Sequence, residues 1–186
     1  ELSACLKPAG IDHSITICAY GNPIPQFTAL FTIYTDIIPS TLQSINKDVG
    51  DEGFSILSNE SQLCVYAKTY TGLLYGAFKI IRLIQMHDDL TFFSCTEKPS
   101  LPHRILNHWD NLDGSIERGY AGETLWKWDE LPAKIDSRYR DYARMLCSIG
   151  LNGTVLNNVN TQPEILSLEY ILKIAALASV FRSWGI

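Results

Sequence analysis

Asn107-His108-Trp109-Asp110-Asn111 and Asn157-Asn158-Val159-Asn160 are the two stretches of this chain whose residue types and clustering could do chemistry. Both are rich in amides, and the first adds an aromatic ring and an acid. That mixture suits a sugar. Ring hydroxyls demand directional donors and acceptors, and an aromatic face covers the apolar C–H side. Between them lie Glu117, Arg118, Tyr120, Trp126 and Trp128, in a predicted loop over 110–133. Two tryptophans and a tyrosine in a loop suggest that it folds over something. Each residue also has a structural reading. Asp110 and Asn111 suit the cap of a turn, Trp109 suits core packing, and Glu117 with Arg118 suits a loop-internal ion pair. The asparagines could satisfy loop backbone groups, and His108 could be a hydrogen-bonded structural histidine.

Other chemistries find little support. His13, His87 and His103 have no partner spacing for a metal site or a catalytic triad. Neither G-x-G-x-x-G nor a Walker pattern occurs, so no nucleotide is expected, nor any other cofactor. Cys5, Cys18, Cys64, Cys95 and Cys147 are odd in number and contain no C-x-x-C pair. They read as small hydrophobes rather than as a disulfide framework or a zinc site. Asn59-Glu60-Ser61 and Asn152-Gly153-Thr154 fit the glycosylation acceptor pattern, the second in a stretch expected to be buried.

The 186 residues are 46% hydrophobic and 19% charged, with a net charge of −5. A packed core is expected, and electrostatics offer no reason to bind nucleic acid or an anionic membrane. The longest apolar candidate, Ile165 to Phe181, is interrupted by Glu169 and Lys173, too short and too charged to span a bilayer. Glu1-Leu2-Ser3-Ala4-Cys5 does not open a signal peptide; the expectation is an intracellular protein or one whose leader has been removed.

Positioning these residues falls to two kinds of pattern. The first hundred residues predict a small α+β unit. Ser14 to Tyr20 alternates as a strand and ends at the turn signal Gly21-Asn22-Pro23, while 24–49 carry mixed signals. Gly53 to Leu57 and Gln62 to Lys68 predict an antiparallel hairpin around Ser58–Ser61. Thr71 to Met86 predicts a helix with Leu73, Ala77, Ile80, Ile81 and Ile84 on one stripe. Gly72 and Gly76, one turn apart, suggest close packing of that helix on a sheet or a fraying first turn. Glu97-Lys98-Pro99-Ser100-Leu101-Pro102 marks a boundary, giving domains of 1–99 and 100–186.

Beyond it the order becomes strand, helix, strand, helix. Arg104 to Trp109 is the first strand. Ile135, Tyr139, Tyr142, Ala143, Leu146 and Cys147 form a helical stripe stopped by Gly150. Leu151 to Asn157 predicts a buried strand. The last helix is capped by Ser167, carries Glu169 in its first turn and ends at Gly185. Consecutive βα units imply parallel strands with right-handed crossovers. Two such units do not close a barrel, and the pattern breaks off where a third strand is due. In a βα-barrel the loops after the strands build the site, and both amide-rich stretches stand at such ends.

Arg104 through Gly122, with its run Asn107-His108-Trp109-Asp110-Asn111-Leu112-Asp113-Gly114-Ser115-Ile116-Glu117-Arg118-Gly119-Tyr120-Ala121-Gly122, closely resembles the signature of glycoside hydrolase family 67. So do Arg138-Tyr139-Arg140-Asp141-Tyr142-Ala143-Arg144 and Leu156-Asn157-Asn158-Val159-Asn160. Upstream, Gly50-Asp51-Glu52-Gly53-Phe54 and Gly72-Leu73-Leu74-Tyr75-Gly76-Ala77-Phe78 look like the family's N-terminal domain. The likeness is sharpest from about 99 to 186. The region before 50 is short for the family, and Glu123-Thr124-Leu125-Trp126 departs from its basic-Ser-Ile-aromatic stretch.

The resemblance implies an α/β chain: a small hexosaminidase-like α+β domain, then the first two βα units of a truncated (β/α)8 TIM barrel. It implies an inverting α-glucuronidase that removes (4-O-methyl)glucuronic acid α-1,2-linked to xylose in xylooligosaccharides. The partner is then a xylan-derived aldouronic acid, with a homodimer open for the full-length enzyme and secretion expected for a fungal one. Its catalytic acid and base come from later strands, so none is assigned here. By motif position Trp109 and Val159 match the apolar lining around the glucuronic acid, with Asp110, Asn111 and Asn158 beside them. A non-catalytic carbohydrate-binding module and a purely structural domain are the alternatives.

Overall fold

The computed structural model describes residues 28–33 as backbone and 40–186 in full. The predicted strand at Ser14 to Tyr20, its turn, His13, Cys5 and Cys18 lie outside the described residues. By its internal contacts the chain divides into two units, Glu1–Ser100 and Leu101–Ile186.

In the first unit, β1 (Thr28–Ile33), β2 (Phe54–Ser58), β3 (Gln62–Ala67) and β4 (Ser94–Glu97) form one sheet in the order β1-β3-β2-β4. β2 and β3 are the predicted hairpin, antiparallel with Phe54 opposite Ala67 and Ser58 opposite Leu63. The Asn59 side chain shapes its turn by accepting from the amides of Ser61 and Gln62 at 3.0 and 2.9 Å. β1 runs parallel to β3, in a region where the sequence shows no clear pattern. Alternation along β3 divides the core. Cys64 and Tyr66 join Leu42, Ile45 and Val49, while Val65 and Ala67 face helix α1 (Tyr70–Gln85).

Helix α1 sits one step off its predicted bounds, with Thr69 as N-cap accepting from the Gly72 amide at 3.2 Å. Its buried face also differs from prediction. Gly72, Tyr75, Gly76, Phe78, Ile80, Ile81 and Leu83 are buried, whereas Leu73, Ala77 and Ile84 are only partly covered. The cause is contact distance. A Cβ on Gly72 would lie 2.4 Å from the Gly53 carbonyl oxygen, and one on Gly76 would lie 2.5 Å from Val65 Cγ1. The glycines let the helix backbone approach the sheet, so their side becomes the inner face.

In the second unit, β5 (Ile105–Asn107) and β6 (Gly153–Val155) pair in parallel, Ile105 opposite Gly153 and Asn107 opposite Val155. Helix α2 (Ser137–Ser148) is capped by Asp136, and Ile135, placed in its stripe by sequence, precedes it and is exposed. Gly150 follows at φ 79°, a left-handed helix stop. Helix α3 (Leu168–Arg182) carries the expected Ser167 cap and Glu169, and Gly185 stands beyond its end at φ 74°. One core unites the unit: Trp126, Trp128, Leu131, Tyr139, Ala143, Ile165, Leu177 and Phe181. β6 is not the buried strand that its composition predicts. Val155 is exposed, as are Ile105 and Leu106 across from it, because the described sheet has two strands and leaves their apolar groups uncovered.

Candidate functional site

The two strands end side by side, and the main chain ties their ends together. The His108 amide donates to the Val155 carbonyl at 3.0 Å, and the Asn158 amide donates to the Asp110 carbonyl at 2.8 Å. Asn107-His108-Trp109-Asp110-Asn111 and Asn157-Asn158-Val159-Asn160 are therefore neighbours at the C-terminal ends of parallel strands. At the opposite end Asn152 and Arg104 lock the register. The Asn152 side chain accepts from the Arg104 amide at 2.9 Å and donates to the Pro102 carbonyl at 2.7 Å. That amide nitrogen is engaged within the fold, although the stretch is not buried as its composition predicts.

The candidate residues separate by exposure. Asp110 is 2% exposed and Asn158 is 5% exposed. Asp110 accepts from the Thr124 hydroxyl and faces His108 Nδ1 at 3.4 Å. Asn158 accepts from the Asn160 amide at 2.9 Å, which closes the loop after β6. Asn111 donates through Nδ2 to Ser115 Oγ at 3.0 Å and to the Glu117 carbonyl at 2.8 Å. These three shape the loops, the structural role that their residue types also allowed. Trp109 and Val159 behave differently: 43% and 79% exposed, they are free of the core and offer apolar surface beside the paired strand ends. Within this chain Trp109 is therefore not part of the core.

His108 proves structural, within a network that the sequence conceals. Its Nε2 lies 2.5 Å from the Tyr142 hydroxyl, which lies 3.2 Å from Thr154 Oγ1. The network joins the end of β5, α2 and β6. Burial pushes the Tyr142 hydroxyl above its ordinary pKa, so it remains neutral. Tyr142 looked like one more member of an apolar helical stripe, and Thr124 had no distinguishing signal at all.

One expectation about the loop is corrected, and one is made concrete. What the loop folds over is its own indoles, Trp126 and Trp128, buried in the core of the unit. Trp126 is 1% exposed, donates from Nε1 to the Leu156 carbonyl at 2.9 Å, and has its ring 5.1 Å from that of His108 and 6.0 Å from that of Phe181. A long loop over a small unit needs an apolar anchor, and the indoles supply it. Glu117 and Arg118 form no ion pair with each other; the Glu117 carboxylate instead meets the Tyr120 hydroxyl at 3.4 Å. A cleft lined by Leu112, Trp128, Tyr170 and Lys173 includes neither Trp109 nor Val159. Among the described residues no cluster of His, Cys, Asp and Glu could hold a metal ion, and no helix is long and apolar enough to cross a membrane.

Residues 83–186, from the end of α1 through both strand ends to the last helix, match the family described as glycosyl hydrolase family 67 middle domain. The chain belongs to glycosyl hydrolase family 67. Within the family it is 36% identical over 138 residues to a probable alpha-glucuronidase A of Aspergillus oryzae, covering 74% of this chain and 16% of that protein. It is 34% identical over 170 residues to a probable alpha-glucuronidase A of Aspergillus fumigatus, covering 91% and 18%. With the alpha-glucuronidase A of Emericella nidulans it shares 37% over 142 residues, covering 73% and 16%. This family 67 chain thus spans under a fifth of the length of the curated relatives that it matches. In fold it is similar to a family 138 enzyme targeting pectin rhamnogalacturonan II, with a TM-score of 0.61 at 14% identity over 100% of this chain and 27% of that one.

Proposed function

We propose that this chain is the opening part of an inverting α-glucuronidase. Its substrate is (4-O-methyl)glucuronic acid α-1,2-linked to xylose at the end of a xylooligosaccharide. Residues 1–99 form the accessory α/β domain, and 100–186 the first two βα units of a (β/α)8 barrel. The observation that carries this reading is the family match over 83–186, which contains the exposed Trp109 and Val159 beside two parallel strand ends. The exposed Ile105, Leu106 and Val155 suit a sheet that continues into further strands.

In this reading the chain contributes a pocket wall and not the reacting groups. Inversion requires a carboxylic acid on the leaving oxygen and a carboxylate that activates water, roughly 6.5–9.5 Å apart. Of the acids near the strand ends, Asp110 is buried and committed to Thr124 and His108. Following the resemblance to the family, the acid and base are assigned to later strands of the full-length protein. Trp109 lays its ring against the apolar side of the sugar, and Val159 flanks it. Asp110, Asn111 and Asn158 act behind them by fixing the two loops.

The test is hydrolysis of aldotriouronic acid followed by NMR. The full-length protein should release glucuronic acid first as the β-anomer, the product of inversion at an α-linkage. Initial α-anomer would refute inversion, and no release would refute the activity. The purified 186-residue chain should release none. Release by that chain would overturn the location of the carboxylates, and micromolar binding by it would favour a carbohydrate-binding module instead.

A further inference from the structure

The loop after β5 turns through left-handed backbone four times. Gly114, Gly119 and Gly122 take three of those positions, at φ 89°, 90° and 104°, where glycine carries no steric penalty. Glu117 takes the fourth, at φ 59°. A non-glycine residue persists there only when its surroundings over-determine it, and such positions gather at binding sites. Its surroundings do so. The Glu117 amide donates to the Trp109 carbonyl at 2.8 Å, its carbonyl accepts from Asn111 Nδ2 at 2.8 Å, and Asp110 bridges Ile116 in antiparallel fashion. Residue 117 is thereby fixed opposite Trp109.

Residue 117 makes every one of those contacts through its own main chain, and glycine would make them without strain. The side chain contributes little to holding the loop. Among the described residues its carboxylate meets only the Tyr120 hydroxyl, at the 3.4 Å edge of hydrogen bonding, and Tyr120 is itself exposed. Glu117 is half-buried, its backbone is hydrogen-bonded to that of the exposed Trp109, and its carboxylate is left with no duty in holding the loop. We propose that Glu117 is a substrate-contacting residue whose carboxylate accepts a hydrogen bond from a ring hydroxyl of the sugar that rests on Trp109. The inference deepens the proposed function and rests on it. Like charges in one site repel, so the contact is to a hydroxyl and not to the uronic carboxylate. Carboxylate acceptors make hydrogen bonds roughly twice as strong as neutral ones, which suits a group that orients a neutral hydroxyl.

The test compares Glu117→Gly and Glu117→Gln in the full-length protein, by thermal melting and by steady-state kinetics on aldotriouronic acid. Glu117→Gly should melt at or above the wild-type temperature because it relieves the left-handed strain. Its kcat/KM should fall at least tenfold, mainly through KM. Glu117→Gln keeps the shape and a neutral acceptor, and should lose less. An unchanged kcat/KM in Glu117→Gly overturns the inference. So does a fall in melting temperature that the loss of activity follows, because the side chain would then be structural. Inactive wild-type protein would instead refute the glucuronidase reading itself, so the two failures are distinct.

Discussion

Trp126 offers the sharpest test of how the second unit is held together. Phenylalanine at this position keeps an aromatic ring but removes roughly three heavy atoms from a site that is 1% exposed, which costs about 2 kcal/mol in burial. It also removes the indole N–H and leaves the Leu156 carbonyl without its 2.9 Å donor, a further cost of about 1–2 kcal/mol. The sum is about 3–4 kcal/mol, a large share of the 5–15 kcal/mol that keeps an ordinary domain folded. For a chain of 186 residues each kcal/mol moves the melting temperature by about 2–4 °C, so Trp126→Phe should melt roughly 10 °C below wild type. Leu156 precedes Asn157 and Asn158, so near-UV circular dichroism at 25 °C should change as well. Differential scanning calorimetry of the 186-residue chain decides the matter. A shift under about 2 °C would mean that the indole is not the anchor of the loop, and that the burial argument fails where it is strongest.

Trp109→Ala should behave in the opposite way. It should melt within about 2 °C of wild type because the ring is 43% exposed, yet in the full-length protein it should lower kcat/KM on aldotriouronic acid by about tenfold to several hundredfold. Gly72→Ala should destabilise by about 1–2 kcal/mol in chemical unfolding. The gain of about 1 kcal/mol in helix propensity is outweighed by a Cβ placed 2.4 Å from a backbone oxygen that has no rotamer to change. Burial pushes the Cys64 and Cys147 thiols up from 9.0 to about 12. With the folded pKa above the unfolded one, their contribution to stability is complete below pH 9 and is lost as pH rises from 9 toward 12. Unfolding free energies across that range should fall accordingly, and peptide mapping at pH 8 should find Cys95 alkylated before either.

The parts legible in the sequence share a cause: they are set by neighbours along the chain. The β2–β3 hairpin was readable because four polar residues separate two strand-like runs. The caps and stops of the second unit were readable because Ser167, Gly150 and Gly185 act on backbone within a turn of themselves. Pairing of β5 with β6 in parallel also followed from order alone, since a helix between two strands returns the chain in the same direction.

What the sequence by itself determined, then, is the element order, the parallel βα pattern of the second unit and the two stretches that meet at its strand ends. Membership of family 67 is carried by the same motif residues. Only the tertiary structure decided which of those residues face outward. Asp110, Asn158 and His108 have the same polar character as groups that bind ligands, and contacts with Thr124, Asn160 and Tyr142 engage them within the fold. Trp109 and Trp126 are the same residue type in one continuous loop region, and one is exposed while the other is enclosed by α2 and α3. Period and composition act along the chain, whereas burial is set by what arrives from 30 or more residues away, as the Leu156 carbonyl does at Trp126. The inward face of α1 follows the same rule: two glycines and the surface of a sheet fixed it against the larger apolar stripe, because distance of approach outweighed hydrophobic count.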